Sequence, residues 1–168
     1  MNNKMVRYVI GHILKLETAF MLIPLALSFF YHESFIVKKS YIFTIVLLLI
    51  SSLLISKKVP ENQKIYAKEG LVIVSISWIA LSLFGALPFV FSNRIPSFID
   101  AFFETVAGFT TTGASVIADI EIIEKSLLFW VGFSHFIGGM GILVLALAIL
   151  PKSSNQSLYI MKAEVPGP

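Results

Sequence analysis

The sequence predicts an all-α membrane protein with four transmembrane helices and one re-entrant helix and loop between the third and fourth. Three observations carry this. Of the 168 residues, 57% are hydrophobic and only 14% are charged, whereas a soluble domain is about half apolar and about a quarter charged. Four runs approach the roughly 20 apolar residues needed to cross about 30 Å of hydrocarbon. A further stretch, 92–125, is too long for a tight connection and too apolar for an ordinary exposed loop.

The first run, 10–31, carries Lys15 and Glu17 near its start, where both can reach toward the headgroups. Pro24 near its middle predicts a kink. Lys4 and Arg7 precede it as in a signal peptide, but the run is long and no small-residue cleavage site follows, so it reads as a retained helix. The second run, 35–56, has Lys38 and Lys39 near its start, where they can snorkel. The third, 71–91, is uncharged with Pro88 near its end; the fourth, 126–150, is uncharged and stops at Pro151.

Charge orients the runs. Lys4 and Arg7, then Lys57, Lys58, Lys64 and Lys68, then Lys152 and Lys162 fall on one side if the chain crosses four times. Lysine and arginine mark the cytoplasmic side, so both termini are expected there. The opposite side combines Lys38, Lys39, Arg94 and Lys125 with Asp100, Glu104, Asp119, Glu121 and Glu124. Such an acidic face suits a vestibule that draws in cations, and suits a solvated loop equally. Three units follow: two leading helices over 1–66, a helix–loop–helix repeat over 67–152 and a cytoplasmic connector over 153–168.

Within 92–125, Pro96 reads as a proline at the first helical position, and Ser97 with Asp100 as a capping box. A helix over 97–107 is about 17 Å long at 1.5 Å per residue, half a membrane. Gly108-Phe109-Thr110-Thr111-Thr112-Gly113-Ala114-Ser115 follows, a poor helix interior. Non-helical backbone at membrane depth is tolerated only inside protein or along a watery path. The outline is that of a pore helix and filter loop, in which carbonyls and threonine hydroxyls replace the water shed by a cation. Gly113 allows a backbone conformation that aims a carbonyl at the axis. The C-terminal end of the short helix adds partial negative charge. Taken alone, the loop reads equally well as a polar turn joining two helices.

Other chemistries find little support. There is no cysteine, hence no disulfide and no cysteine-ligated metal. The net charge of +3 is scattered between apolar runs, which argues against nucleic acid as a partner. Gly108 and Gly113 have phosphate-loop spacing, but Ala114 stands where that loop needs lysine. No catalytic constellation is present, so no enzyme is expected. Glu104 reads as a brace that accepts from backbone amides behind the loop, or as a shallow group facing outer water. His135 has no second ligand at helical spacing and reads as a packing histidine bonded to a neighbouring helix. Gly138, Gly139 and Gly141 read as close helix packing, with helix flexibility as the alternative. Trp78 and Trp130 read as lipid-facing or packing aromatics.

The run from Phe102-Phe103-Glu104-Thr105-Val106-Ala107 through Gly108 to Ser115 resembles the first pore loop and filter of the TrkH family, within the Trk, Ktr and HKT superfamily. So do Phe129-Trp130, Ser134-His135-Phe136-Ile137-Gly138-Gly139-Met140-Gly141-Ile142 and the closing Ala163-Glu164-Val165-Pro166-Gly167-Pro168. The resemblance implies potassium transport across the plasma membrane, the inner membrane of a bacterium. It implies a filter at Thr110, Thr111, Thr112, Gly113, Ala114 and Ser115, with K+ held at Thr111, Thr112 and Gly113. No covalent cofactor is implied; K+ is the transported ion. Implied partners are lipid, the remaining pore repeats or further copies, and a cytoplasmic nucleotide-binding ring of the TrkA type. The family uses four repeats and this chain holds one, so it is expected to be part of a longer product or to assemble with copies. A non-conducting membrane scaffold is the alternative.

Overall fold

The computed structural model describes residues 2–56, 60 and 67–149. The connector 153–168, the stop at Pro151 and Lys57, Lys58 and Lys64 lie outside the described residues. Every regular element within them is helical: α1 (Asn3–Phe30), α2 (Phe35–Ile55), α3 (Ala67–Gly85), α4 (Leu87–Phe91), α5 (Phe98–Phe109) and α6 (Lys125–Ile149). Among the described residues, three stretches are long and apolar enough to cross a membrane: Asn3–Phe30, Phe35–Ile55 and Glu69–Phe91. α6 has 25 residues, about 37 Å at 1.5 Å per residue. α5 has 12 residues, about 18 Å, too short to cross.

α1 starts seven residues before the first apolar run (10 against 3), because polar Asn2 caps it and accepts from the Met5 N–H at 3.2 Å. That shift moves Glu17 about 21 Å along the helix from Asn3. Glu17 is 2% exposed. It therefore does not reach the headgroups, as its place in the apolar run suggested; it faces the interior.

The third apolar run forms two helices. Pro88 has no N–H to continue the ladder, and the Phe89 N–H turns to the Ala86 carbonyl at 3.1 Å. The Gly85 carbonyl is taken instead by the Trp130 indole N–H at 3.0 Å. One proline thus creates the acceptor that fastens α6 to the end of α3.

α1 and α2 pack along each other, α3 lies against α1 and α5, and α5 sits between α3 and α6, which returns to α1. The buried centre includes Met21, Tyr41, Leu48, Phe89, Phe109 and Trp130, while Phe30, Phe35 and Phe136 remain exposed, as a lipid-facing surface requires. The turn after α1 supplies a cap for α6. Glu33 accepts from the Ser126 N–H at 2.9 Å and from its hydroxyl, placing negative charge at a helix N-terminus. Arg94 pairs with Glu124, its Nε lying 2.9 and 2.8 Å from the two carboxyl oxygens. The insertion that contains α5 therefore begins and ends at one place.

Candidate functional site

The helix in the insertion is longer than expected. It runs two residues past 107 and takes in Gly108 and Phe109. Its start also differs. Ser97 is the N-cap, accepting from the Asp100 N–H at 3.4 Å, so Pro96 precedes the cap and is not the first helical residue.

The C-terminal end is a closed motif. The Thr112 N–H bonds to the Ala107 carbonyl and the Thr111 N–H to the Gly108 carbonyl, each at 2.9 Å. These are the paired bonds of a Schellman motif, which needs a left-handed residue where glycine is usual. Thr111 fills it, at φ 56°. A β-branched residue there is a true outlier, and the strain is of order 1–3 kcal/mol. The Thr110 hydroxyl donates to the Val106 carbonyl at 2.7 Å. With its one proton committed, it accepts from the Thr112 hydroxyl at 2.8 Å. Gly113 is also left-handed, at φ 75°, with nothing within 4 Å of an added Cβ.

From 112 to 117 the chain has no regular structure, and 110–116 are exposed. Among the described residues, the carbonyls of 110–115 accept no hydrogen bond. Glu104 holds the far end of this segment. It is 2% exposed, accepts from the Ser115 hydroxyl at 2.9 Å on each oxygen, and accepts from the Val116 N–H at 2.8 Å. Ser115 thus bonds to the helix through its side chain, while Thr110 to Thr112 are fixed by the helix end.

The platform beneath is set by close contacts. A Cβ on Gly138 would collide with the Phe109 carbonyl, coming within 2.7 Å of its carbon. One on Gly108 would strike the Ser134 hydroxyl, and one on Gly141 would come within 2.9 Å of the Trp78 ring. Gly139 differs: its nearest neighbour, the Thr111 methyl, is 3.9 Å away, an ordinary contact. Close approach therefore explains Gly138 and Gly141 but not Gly139. The Thr105 hydroxyl donates toward the Ser82 carbonyl at 2.7 Å, tying α5 to α3. Neither Thr105 nor Ser134 was singled out from the sequence; a small polar residue on an apolar helix was the available signal. His135 lies 2.9 Å from the carbonyl of Val131 on its own helix, not on a neighbouring one. No group of three or more His, Cys, Asp or Glu that could hold a metal exists among the described residues.

Residues 36–168 match TrkH, a family of cation transport proteins. The chain belongs to the TrkH family. Over 170 residues, all of this chain and 35% of the relative, it is 34% identical to the Trk system potassium uptake protein TrkH of Escherichia coli K12. Over 109 residues, 64% of this chain and 23% of the relative, it is 41% identical to the Trk system potassium uptake protein TrkH of Salmonella typhimurium. The crystal structure of the potassium transporter TrkH from Vibrio parahaemolyticus superposes with a TM-score of 0.82 at 32% identity, over 90% of this chain and 32% of that one. The chain therefore spans about a third of the length of the first of these TrkH relatives.

Proposed function

We propose that this chain contributes one pore repeat to a TrkH-type potassium transporter, and that residues 110–115 form its share of the selectivity filter. The observation that carries the reading is the run of carbonyls over 110–115 that have no partner among the described residues, on backbone held at both ends. Backbone acceptors at membrane depth must find partners. A dehydrated cation surrounded by such carbonyls is one way to supply them. The relatives' names give the ion as potassium.

In this reading K+ exchanges water for oxygens at Thr111, Thr112 and Gly113. Thr110 and Ala114 continue the row, and Ser115 closes it. The left-handed turns at Thr111 and Gly113 direct successive carbonyls. Glu104 braces the outer half through Ser115 and Val116, and so acts on the filter without touching the ion. α5 enters and returns on one side of the membrane, consistent with the Arg94–Glu124 pair at the mouth of the insertion. Gly138 lets α6 close on that helix at Phe109, and Gly141 lets it close on α3 at Trp78. The remaining coordination comes from further repeats of a longer chain or from other copies. Location in the plasma membrane with both termini cytoplasmic follows the lysine asymmetry, and the TrkA-type ring would bind on that side.

The test uses the full-length protein in a bacterium lacking potassium uptake. Gly113→Val forces a β-branched residue to φ 75°. It is expected to abolish growth on low potassium while the protein stays in the membrane. Unchanged uptake by that variant would sink the filter assignment. A full-length protein that never conducts would return the reading to a scaffold.

A further inference from the structure

α2 and α3 both pack on α1, and a groove of about 590 Å3 is lined by all three. Its walls are apolar, with Leu54 near the end of α2 and Val72 and Ile76 in α3. Leu54 is 57% and Ile76 42% exposed, so the groove is open to the surroundings of the bundle. α1 contributes a graded edge. Asn3, Arg7 and Ile10 line the groove at i, i+4 and i+7, one face of a helix. Within two turns, about 10 Å along the axis, the lining passes from an amide through a guanidinium to hydrocarbon.

The charge at this end is unbalanced. Arg7 is exposed and makes no ion pair among the described residues. Arg94 differs, because Glu124 holds it. Glu69, at the start of α3, is buried, accepts from the Asn2 N–H at 3.1 Å and does not line the groove. In the sequence, Lys4 and Arg7 begin α1, and Lys57, Lys58, Lys64 and Lys68 lie between the end of α2 and the apolar part of α3, against Glu61 and Glu69 alone.

We propose that this groove binds an anionic phospholipid of the bilayer, its phosphate on Arg7 and an acyl chain along Ile10, Leu54 and Ile76. Charge complementarity selects the headgroup. Basic pockets between membrane helices on the cytoplasmic side take anionic headgroups, and that is the side to which the lysine asymmetry assigns this end. A guanidinium pairs with two phosphate oxygens at once. A free phosphate would leave the apolar walls unused, and a zwitterionic lipid would bring a cation of its own beside Arg7. Seated there, the lipid joins α2 to α3, and so the leading hairpin to the first helix of the proposed repeat.

The test is native mass spectrometry of the full-length protein released from nanodiscs of equal phosphatidylglycerol and phosphatidylcholine. Arg7→Gln is expected to lower retained phosphatidylglycerol, relative to phosphatidylcholine, about fivefold, the factor that one basic residue near an anionic surface contributes. Arg7→Lys should keep most of it. Ile76→Trp, which fills the groove from a half-exposed position, should lower phosphatidylglycerol retention with Arg7 intact. Excess glycerol phosphate should displace none. Wild-type retention in Arg7→Gln overturns the proposal, as when a later segment of a longer chain fills the groove. Loss in Arg7→Lys equal to that in Arg7→Gln also overturns it, since charge then plays no part. So does unchanged retention in Ile76→Trp, which would leave Arg7 a surface charge without a groove. Displacement by glycerol phosphate would assign Arg7 to a free anion instead. Lipid retention does not depend on conduction, so its failure is separable from failure of the filter reading.

Discussion

Glu104 and Glu17 are equally buried, each 2% exposed, in helices that both touch Phe109's surroundings, yet their chemistry is opposite. Glu104 has all its partners within one loop: the Ser115 hydroxyl and the Val116 N–H. Glu17 faces apolar walls and has none among the described residues. The difference teaches where specificity sits in this fold. A buried carboxyl with partners close in sequence fixes a local shape. One without them, like Glu17 among the described residues, adds no hydrogen bond that fixes the fold.

The comparison breaks most completely if its shared support is removed. Gly138→Val would drive a side chain into the Phe109 carbonyl. Overpacking against backbone that cannot retreat costs about 3 kcal/mol or more, so thermal unfolding of the full-length protein should fall sharply and uptake should vanish. Gly139→Ala is the control. With only a contact at 3.9 Å, it should change stability by less than about 0.5 kcal/mol.

Next in size is Glu104→Ala. It strips acceptors from Ser115 and Val116, a loss of about 1–3 kcal/mol, and should lower both uptake and ion discrimination in a rubidium–sodium competition assay. Glu17→Leu should cost less stability than this, because an apolar replacement of a buried polar group is often tolerated. Equal destabilisation by the two would erase the distinction drawn between them.

A smaller effect, of opposite sign, is expected at Thr111. Replacement by glycine relieves the left-handed strain and should raise the unfolding midpoint by an amount equivalent to about 1 kcal/mol. It also removes a methyl from Gly139. Conductance should change although stability rises, a split that a purely structural loop would not show.

The smallest effect belongs to the Arg94–Glu124 pair at the mouth of the insertion. Arg94 is 41% exposed, and partly exposed pairs contribute about 0–1 kcal/mol. Arg94→Ala should therefore shift stability slightly, and less at high salt. The Glu124 carboxyl raises the Arg94 pKa above its ordinary value through their hydrogen bond. A raised pKa adds stability below the unfolded value and loses it only as pH climbs through the folded one. That window lies above the ordinary arginine range, so the Arg94 contribution should stay flat between mildly acidic and mildly alkaline pH.

Membrane class, helical character and the place of the irregular loop were legible in the sequence, but the division of the third apolar run into α3 and α4 was not. Apolar run length and charge depletion are properties of the chain itself, and the bilayer reads them one residue at a time. The Thr-Thr-Thr-Gly run was legible because few sequences suit helix so poorly amid so much apolar chain. What the sequence hid were facts of direction and distance. It placed Glu17 among headgroups because helix starts are hard to see when polar residues still form helix, as Asn3 to Arg7 do. It grouped Gly138, Gly139 and Gly141 together, although the face each presents to Phe109, Thr111 or Trp78 separates them. It gave no sign that Trp130 would take the carbonyl freed near Pro88, or that Glu33 would cap a helix 93 residues away. Those pairings depend on which helices meet and at what depth. Helix contacts in a membrane are set by small residues and unpaired polar groups meeting across space, so only the tertiary structure could decide them.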